Sequence, residues 1–175
     1  MDEAMVLELT QPSARRRDYQ LRRGGQVTGS LRFPRGRRSG ALAEAEATGP
    51  FVLVGSRGRV EARGGPDGAA TLATVERQRG GAAVIHLADG PALRWRRAGR
   101  RNQWVIDDGG ASVLQFSAAH GLLRSSARIT AHRELPEPTT VLLCLVGGFL
   151  SLTSLQADID GAAAAVAGIA ATGAG

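Results

Sequence analysis

Residues 139–157 read TTVLLCLVGGFLSLTSLQA, a run without charge in which apolar side chains fall on every side of a helical wheel. Such a segment predicts a helix that is buried all round or one that spans a membrane. Leu142, Leu143, Leu145, Val146, Phe149 and Leu150 are its apolar body. Thr139 or Thr140 offers a cap after Pro136 and Pro138, and Asp158, Asp160 and Gly161 end the apolar run. Gly147, Gly148, Ser151, Thr153, Ser154 and Gln156 make it less apolar than most membrane spans. If it did span, the arginines before it and the acids after it would orient the N-terminal body to the cytoplasm. The remaining GAAAAVAGIAATGAG completes an Ala/Gly-rich tail, 158–175, that reads as a weak alanine helix or a frayed end beside a domain of residues 1–157.

Upstream of the apolar run the pattern is different. Clusters rich in Gly, Asp and Pro at 24–25, 34–36, 48–50, 64–68, 80–81, 89–91 and 107–110 read as hairpin turns, because Gly supplies positive φ, Asp folds onto its own backbone and Pro presets φ. Between them the period is two. At 123–132, Leu123, Ser125, Ala127, Ile129 and Ala131 share one face; at 27–33, Val27, Gly29, Leu31 and Phe33 do; at 41–48, Ala41, Ala43, Ala45 and Ala47 do. Strands are expected near 3–9, 18–23, 26–33, 40–48, 51–56, 58–63, 70–78, 82–88, 91–97, 102–107, 111–117 and 122–132, paired antiparallel.

About eight strands close into a barrel that side chains alone fill, and about sixteen leave a water channel. Twelve fall between, and a helix about 10 Å across fits the interior. The inward faces carry small residues, Gly29, Ala43, Ala45, Ala62, Ala83, Ser125 and Ala127, which leave room for it. The expected fold is therefore mainly β: a closed antiparallel barrel of about twelve strands enclosing a hydrophobic C-terminal helix. With YQLRRGGQVTGSLRF at 19–33 and NQWVIDDGGASVLQF at 102–116, this layout over roughly residues 3–157 resembles the tubby C-terminal-like superfamily, which includes LURP-one-related proteins and phospholipid scramblases. The resemblance implies a barrel around a helix and a non-enzymatic domain; tubby proteins bind phosphoinositides and scramblases act on membrane lipids. No stretch matches the family's lipid or calcium ligands residue by residue, so none is carried over.

Within its 175 residues and 18.2 kDa the chain has room for one ordinary core, and all 22 of its cationic residues are Arg. Without Lys there is no phosphate-loop lysine, Schiff base or Ser-Lys pair. Residues 1–133 carry a net +10 and residues 134–175 a net −4. A basic body attracts an anionic membrane surface, an acidic protein or nucleic acid. Single-strand binders add stacking aromatics, whereas aromatics are 4% here, and Tyr19, Phe33, Phe51, Trp95, Trp104 and Phe116 fall on strands where core packing uses them. The densest basic run, RWRRAGRR at 94–101, places Arg94 and Arg96 on the face opposite Leu93 and Trp95, and Arg97, Arg100 and Arg101 extend the patch around a hairpin. Arg35, Arg37 and Arg38 form a second candidate, and Arg15, Arg16 and Arg17 precede the second strand.

Cys144 is the sole cysteine, an inert thiol among apolar neighbours. His86, His120 and His132 lack ligand spacing, so neither metal nor cofactor is expected. Asp107 and Asp108 before Gly109-Gly110 are turn residues rather than an acid–base pair. No enzyme signature is found. The acidic start MDEAM is not followed by a basic-then-apolar segment, so a cytoplasmic protein, peripheral at a membrane, is expected. The leading reading is a non-enzymatic barrel that binds anionic lipid through arginine. Two others stand beside it: a structural or protein-interaction module without a small ligand, and a bitopic membrane protein anchored by 139–157.

Overall fold

The computed structural model describes residues 4–13, 17–34, 40–56, 58–65, 67–99, 102–121 and 124–172, with all side chains except those of His120 and of 158–172. Twelve strands among these residues close into a single antiparallel barrel: β1 (Met5–Thr10), β2 (Asp18–Arg23), β3 (Gln26–Arg32), β4 (Gly40–Ala45), β5 (Gly49–Ser56), β6 (Arg59–Gly64), β7 (Ala70–Arg77), β8 (Ala83–Leu87), β9 (Ala92–Arg97), β10 (Gln103–Asp108), β11 (Ala111–His120) and β12 (Ser125–Ala131). Each pairs with its neighbours in sequence, and β12 closes onto β1 with Leu7 opposite Ile129. All twelve expected strands are present, their edges displaced by at most three residues. The alternation works as expected: Leu7, Leu9, Leu21, Leu31, Phe51 and Ile129 face inward and are buried.

Two local readings are corrected. Val27 does not share the inward face of Gly29 and Leu31; it is 45% exposed. Opposite β2 the register shifts, Leu21 pairing with Gly29 but Arg22 with Val27, so Thr28 is an inserted residue and turns Val27 outward. The Thr28 hydroxyl donates to the Leu21 carbonyl at 3.4 Å. β4 ends at Ala45, and residues 46–48 are the turn that the sequence placed at 48–50.

The helix α1 (Glu137–Thr172) starts two residues before the apolar run. Its first bond runs from the Thr140 N–H to the Pro136 carbonyl, 2.9 Å, and Pro138 lies in the first turn, where a missing N–H costs nothing. Thr139 and Thr140 are therefore inside the helix, not at its cap. The Thr140 hydroxyl donates to the carbonyls of Leu135 and Pro136. Asp158, Asp160 and Gly161 end the apolar run but not the helix, whose backbone continues through the alanines, the best helix formers.

Leu142, Leu143, Leu145, Val146, Phe149 and Leu150 are all buried in the barrel core. Helix and wall approach closely because both offer small residues at the contact. Leu145 Cδ1 lies against Gly29, Gly147 faces the Phe116 ring, and Gly148 faces Leu9. Ala41, Ala43, Ala45, Ala62, Ala83 and Ala127 line the wall and are buried. Around Phe116 the aromatics pack on each other, Trp95 edge-on at 5.2 Å and Trp104 stacked on Trp95 at 6.1 Å. Two of the polar residues that weaken 139–157 as a span are satisfied inside the helix: Ser151 donates to Gly148 at 3.0 Å and Thr153 to Phe149 at 2.8 Å. Among the described residues no buried side-chain polar atom lacks a partner. By length and composition the stretch Glu137–Ala157 could cross a membrane, with a mean hydropathy of 1.7, but its apolar surface is used by the barrel wall.

A candidate anion-binding pole

An up-and-down barrel sends alternate connections to opposite ends. Here the connections β1–β2, β3–β4, β5–β6, β7–β8, β9–β10 and β11–β12 gather at one pole, and the other five, with the β12–α1 link, at the opposite pole. In the sequence, each of the first six holds at least one Arg and none holds Asp or Glu. The connections of the opposite pole hold Glu46, Asp67, Asp89 and Glu134 against a single Arg133, with Arg23 at the end of β2 beside them. The charge of the connecting sequence is thus sorted by strand order, with arginine at one end and mostly acid at the other.

Among the described residues, Arg17, Arg79 and Arg124 lie in connections of the basic pole, and Arg32, Arg59, Arg77 and Arg97 at the ends of its strands; all are exposed. Some of this charge is compensated. Arg32 bonds Asp18 at 3.2 Å, and Arg59 pairs with Glu61, which Arg63 also grips. Hydrogen bonding by Arg63 holds the Glu61 carboxyl below its usual range, against an opposing effect of desolvation and with the charges of Arg63 and Arg59 adding to it. Arg17, Arg77, Arg79 and Arg124 have no ion pair among the described residues.

Of the residues singled out from sequence, Arg94 and Arg96 point outward from β9, as alternation requires, but they stand on the wall rather than the pole. Arg96 is engaged: its Nε donates to Asp107 Oδ2 at 2.6 Å, and Asp107, though outward-facing, is only 2% exposed. The pair therefore fastens β9 to β10. Arg97 lies over Trp104, 5.9 Å from the ring centroid. Arg35, Arg37, Arg38, Arg100 and Arg101, like Arg15 and Arg16, lie outside the described residues. Arg77, Arg79 and Arg124 were missed because none belongs to a dense basic run: Arg77 and Arg79 flank Gln78, and Arg124 stands alone. Strand parity, which puts odd-to-even connections at one end, was the signal that could have found them.

Asp107 and Asp108 are the last residues of β10 rather than turn residues: Asp107 holds Arg96, Asp108 bonds Arg133 at 2.8 Å, and Gly109 and Gly110 alone turn the chain, with positive φ. Among the described residues no three His, Cys, Asp or Glu cluster as a metal site would. At the acidic pole a cleft of about 960 Å³ opens beside the start of α1, lined by Met5, Leu7, Arg23, His132, Thr140 and Val141. It carries no cluster of like charge.

Desolvation raises the Cys144 thiol to about 12, and burial likewise raises the Tyr19 phenol, offset in part by a bond with Ser125 and by Arg17. Both groups are neutral when protonated, so their contribution is complete below their unfolded pKa values, near 9 and 10, and is lost as pH rises toward the folded ones. With no Lys to obscure this window, urea stability at pH 10.5 is expected to be about 2 kcal/mol below that at pH 8, from a slope of about 1.4 kcal/mol per pH unit. Cys144→Ala flattens the decline; an unchanged wild-type midpoint would contradict the burial.

No family model, curated protein or solved structure matches the chain.

Proposed function

We propose that this barrel is a non-enzymatic, cytoplasmic domain that docks its basic pole on an anionic membrane surface as a peripheral protein. The supporting observation is the sorting of charge. Arginines unpaired among the described residues sit on connections that alternate hairpins bring to one end, where the intervening sequence carries no acid. A flat, phosphate-rich surface satisfies such a ring of planar, bidentate donors better than a small ligand does, because the donors surround the pole instead of converging on one point. Nucleic acid fits less well. The large aromatics Phe51, Trp95, Trp104 and Phe116 are buried, and no Phe, Tyr or Trp among the described residues is fully exposed for base stacking. The tubby-like resemblance points the same way, toward lipid.

Co-sedimentation with vesicles of phosphatidylserine and phosphatidylcholine tests the proposal. The protein is expected to bind at low ionic strength, to ignore pure phosphatidylcholine, and to be largely released at 0.5 M salt. Replacing Arg17, Arg77, Arg79 and Arg124 by Gln weakens binding about a hundredfold, since each cation near an anionic surface contributes about 1 kcal/mol before screening. Replacing Glu46, Asp67 and Asp89 leaves it intact. Equal losses from the two sets, or no binding at any salt, would exclude the basic pole as a lipid surface.

A further inference from the structure

We infer that residues 161–172 of α1 form a bilayer-inserting element: an uncharged helix that leaves the barrel at its basic pole and enters the acyl boundary of the leaflet held there. This rests on the reading of that pole as membrane-facing.

The direction of the helix is fixed by its contacts. Thr140 and Val141 line the cleft with Met5 and Thr28 at the acidic pole. Leu145 lies against Gly29 in the middle of β3. Phe149 stacks on Phe33, 5.7 Å away and just past the basic-pole end of that strand. Among the described side chains Leu155 is the last that is buried, Gln156 and Ala157 are exposed, and the helical backbone runs on to Thr172. The helix thus emerges among the arginine-bearing connections.

Beyond Asp160 the sequence GAAAAVAGIAAT carries no charge. At 1.5 Å per residue, residues 161–172 extend about 18 Å, which suits one leaflet of about 15 Å of hydrocarbon and falls short of the roughly 30 Å of a full bilayer. As a helix it bonds its own backbone, the condition for entering lipid. Alanine is a weak apolar residue, so the segment needs a second signal, and the cations of the same pole supply it. Asp158 and Asp160 fall at the junction in the sequence, where they set the depth at which insertion stops.

The full chain with Ala170→Cys tests this. Cys144 is wholly buried, so an environment-sensitive nitrobenzoxadiazole label goes to the new thiol. With phosphatidylserine-containing vesicles its emission is expected to shift to the blue and rise at least twofold, with no change on pure phosphatidylcholine. The same label at Asp67→Cys, on the acidic pole, stays unchanged. Adding Ile169→Asp abolishes the shift and weakens co-sedimentation about tenfold. Vesicle binding without an emission change would overturn the inference and leave the basic pole standing. A shift that survives Gln at Arg17, Arg77, Arg79 and Arg124 would overturn the coupling between tail and pole. Absence of vesicle binding would overturn both.

Discussion

Leu145→Asp is expected to unfold the whole barrel. The side chain is fully buried within the barrel-filling part of α1, and nothing around it can pair with a carboxylate: its neighbours are Gly29 and the apolar wall. Deleting a buried leucine body costs about 2–5 kcal/mol and stranding a charge in a dry core costs several more, against a total stability of about 5–15 kcal/mol for a domain. Because α1 fills the space that twelve strands enclose, the loss falls on the entire sheet. Leu145→Met keeps volume and polarity and is expected to cost less than about 1.5 kcal/mol. Leu42→Asp, on a side chain 46% exposed, costs less than about 0.5 kcal/mol. Near-ultraviolet circular dichroism and urea titration separate the three. A folded, soluble Leu145→Asp protein would mean that the helix is not in the barrel.

Gly147→Val is expected to be nearly as damaging, for the opposite reason. A Cβ at this position would lie 2.7 and 2.9 Å from Cε1 and Cε2 of Phe116 and closer still to Cζ. That ring cannot withdraw, because Trp95 packs edge-on against it and Trp104 lies behind Trp95. Overpacking of this kind costs about 3 kcal/mol or more. Even Gly147→Ala, which gains about 1 kcal/mol in an ordinary helix, is expected to lower the melting temperature here. At Gly148 the neighbour is the free end of Leu9, 2.6 Å away and able to turn, so Gly148→Ala costs less. Phe116→Leu should recover part of the loss in Gly147→Val; simple additivity of the two changes would show that they do not meet.

Much of this fold is readable from alternation and turn chemistry, because a wall with one buried face imposes period two on every strand and each hairpin needs its own Gly, Asp or Pro. The Val27 face was not, since the bulge at Thr28 is a two-strand event that leaves no mark on one strand's pattern. The helix start was misplaced because Pro138 looks like a breaker and is harmless in a first turn. The candidate site was only partly legible. Runs such as RWRRAGRR draw the eye, yet Arg96 is committed to the buried Asp107 on the neighbouring strand. Arg17, Arg77, Arg79 and Arg124 come together only through the closure of the barrel.

The most direct test of the buried helix is hydrogen exchange on the full-length protein recovered without detergent. Amides of residues 141–155 are expected to exchange only through global unfolding, at the rate of the core strands, while those of 158–172 exchange orders of magnitude faster. Rapid exchange across 141–155 would contradict the barrel filled by its own helix.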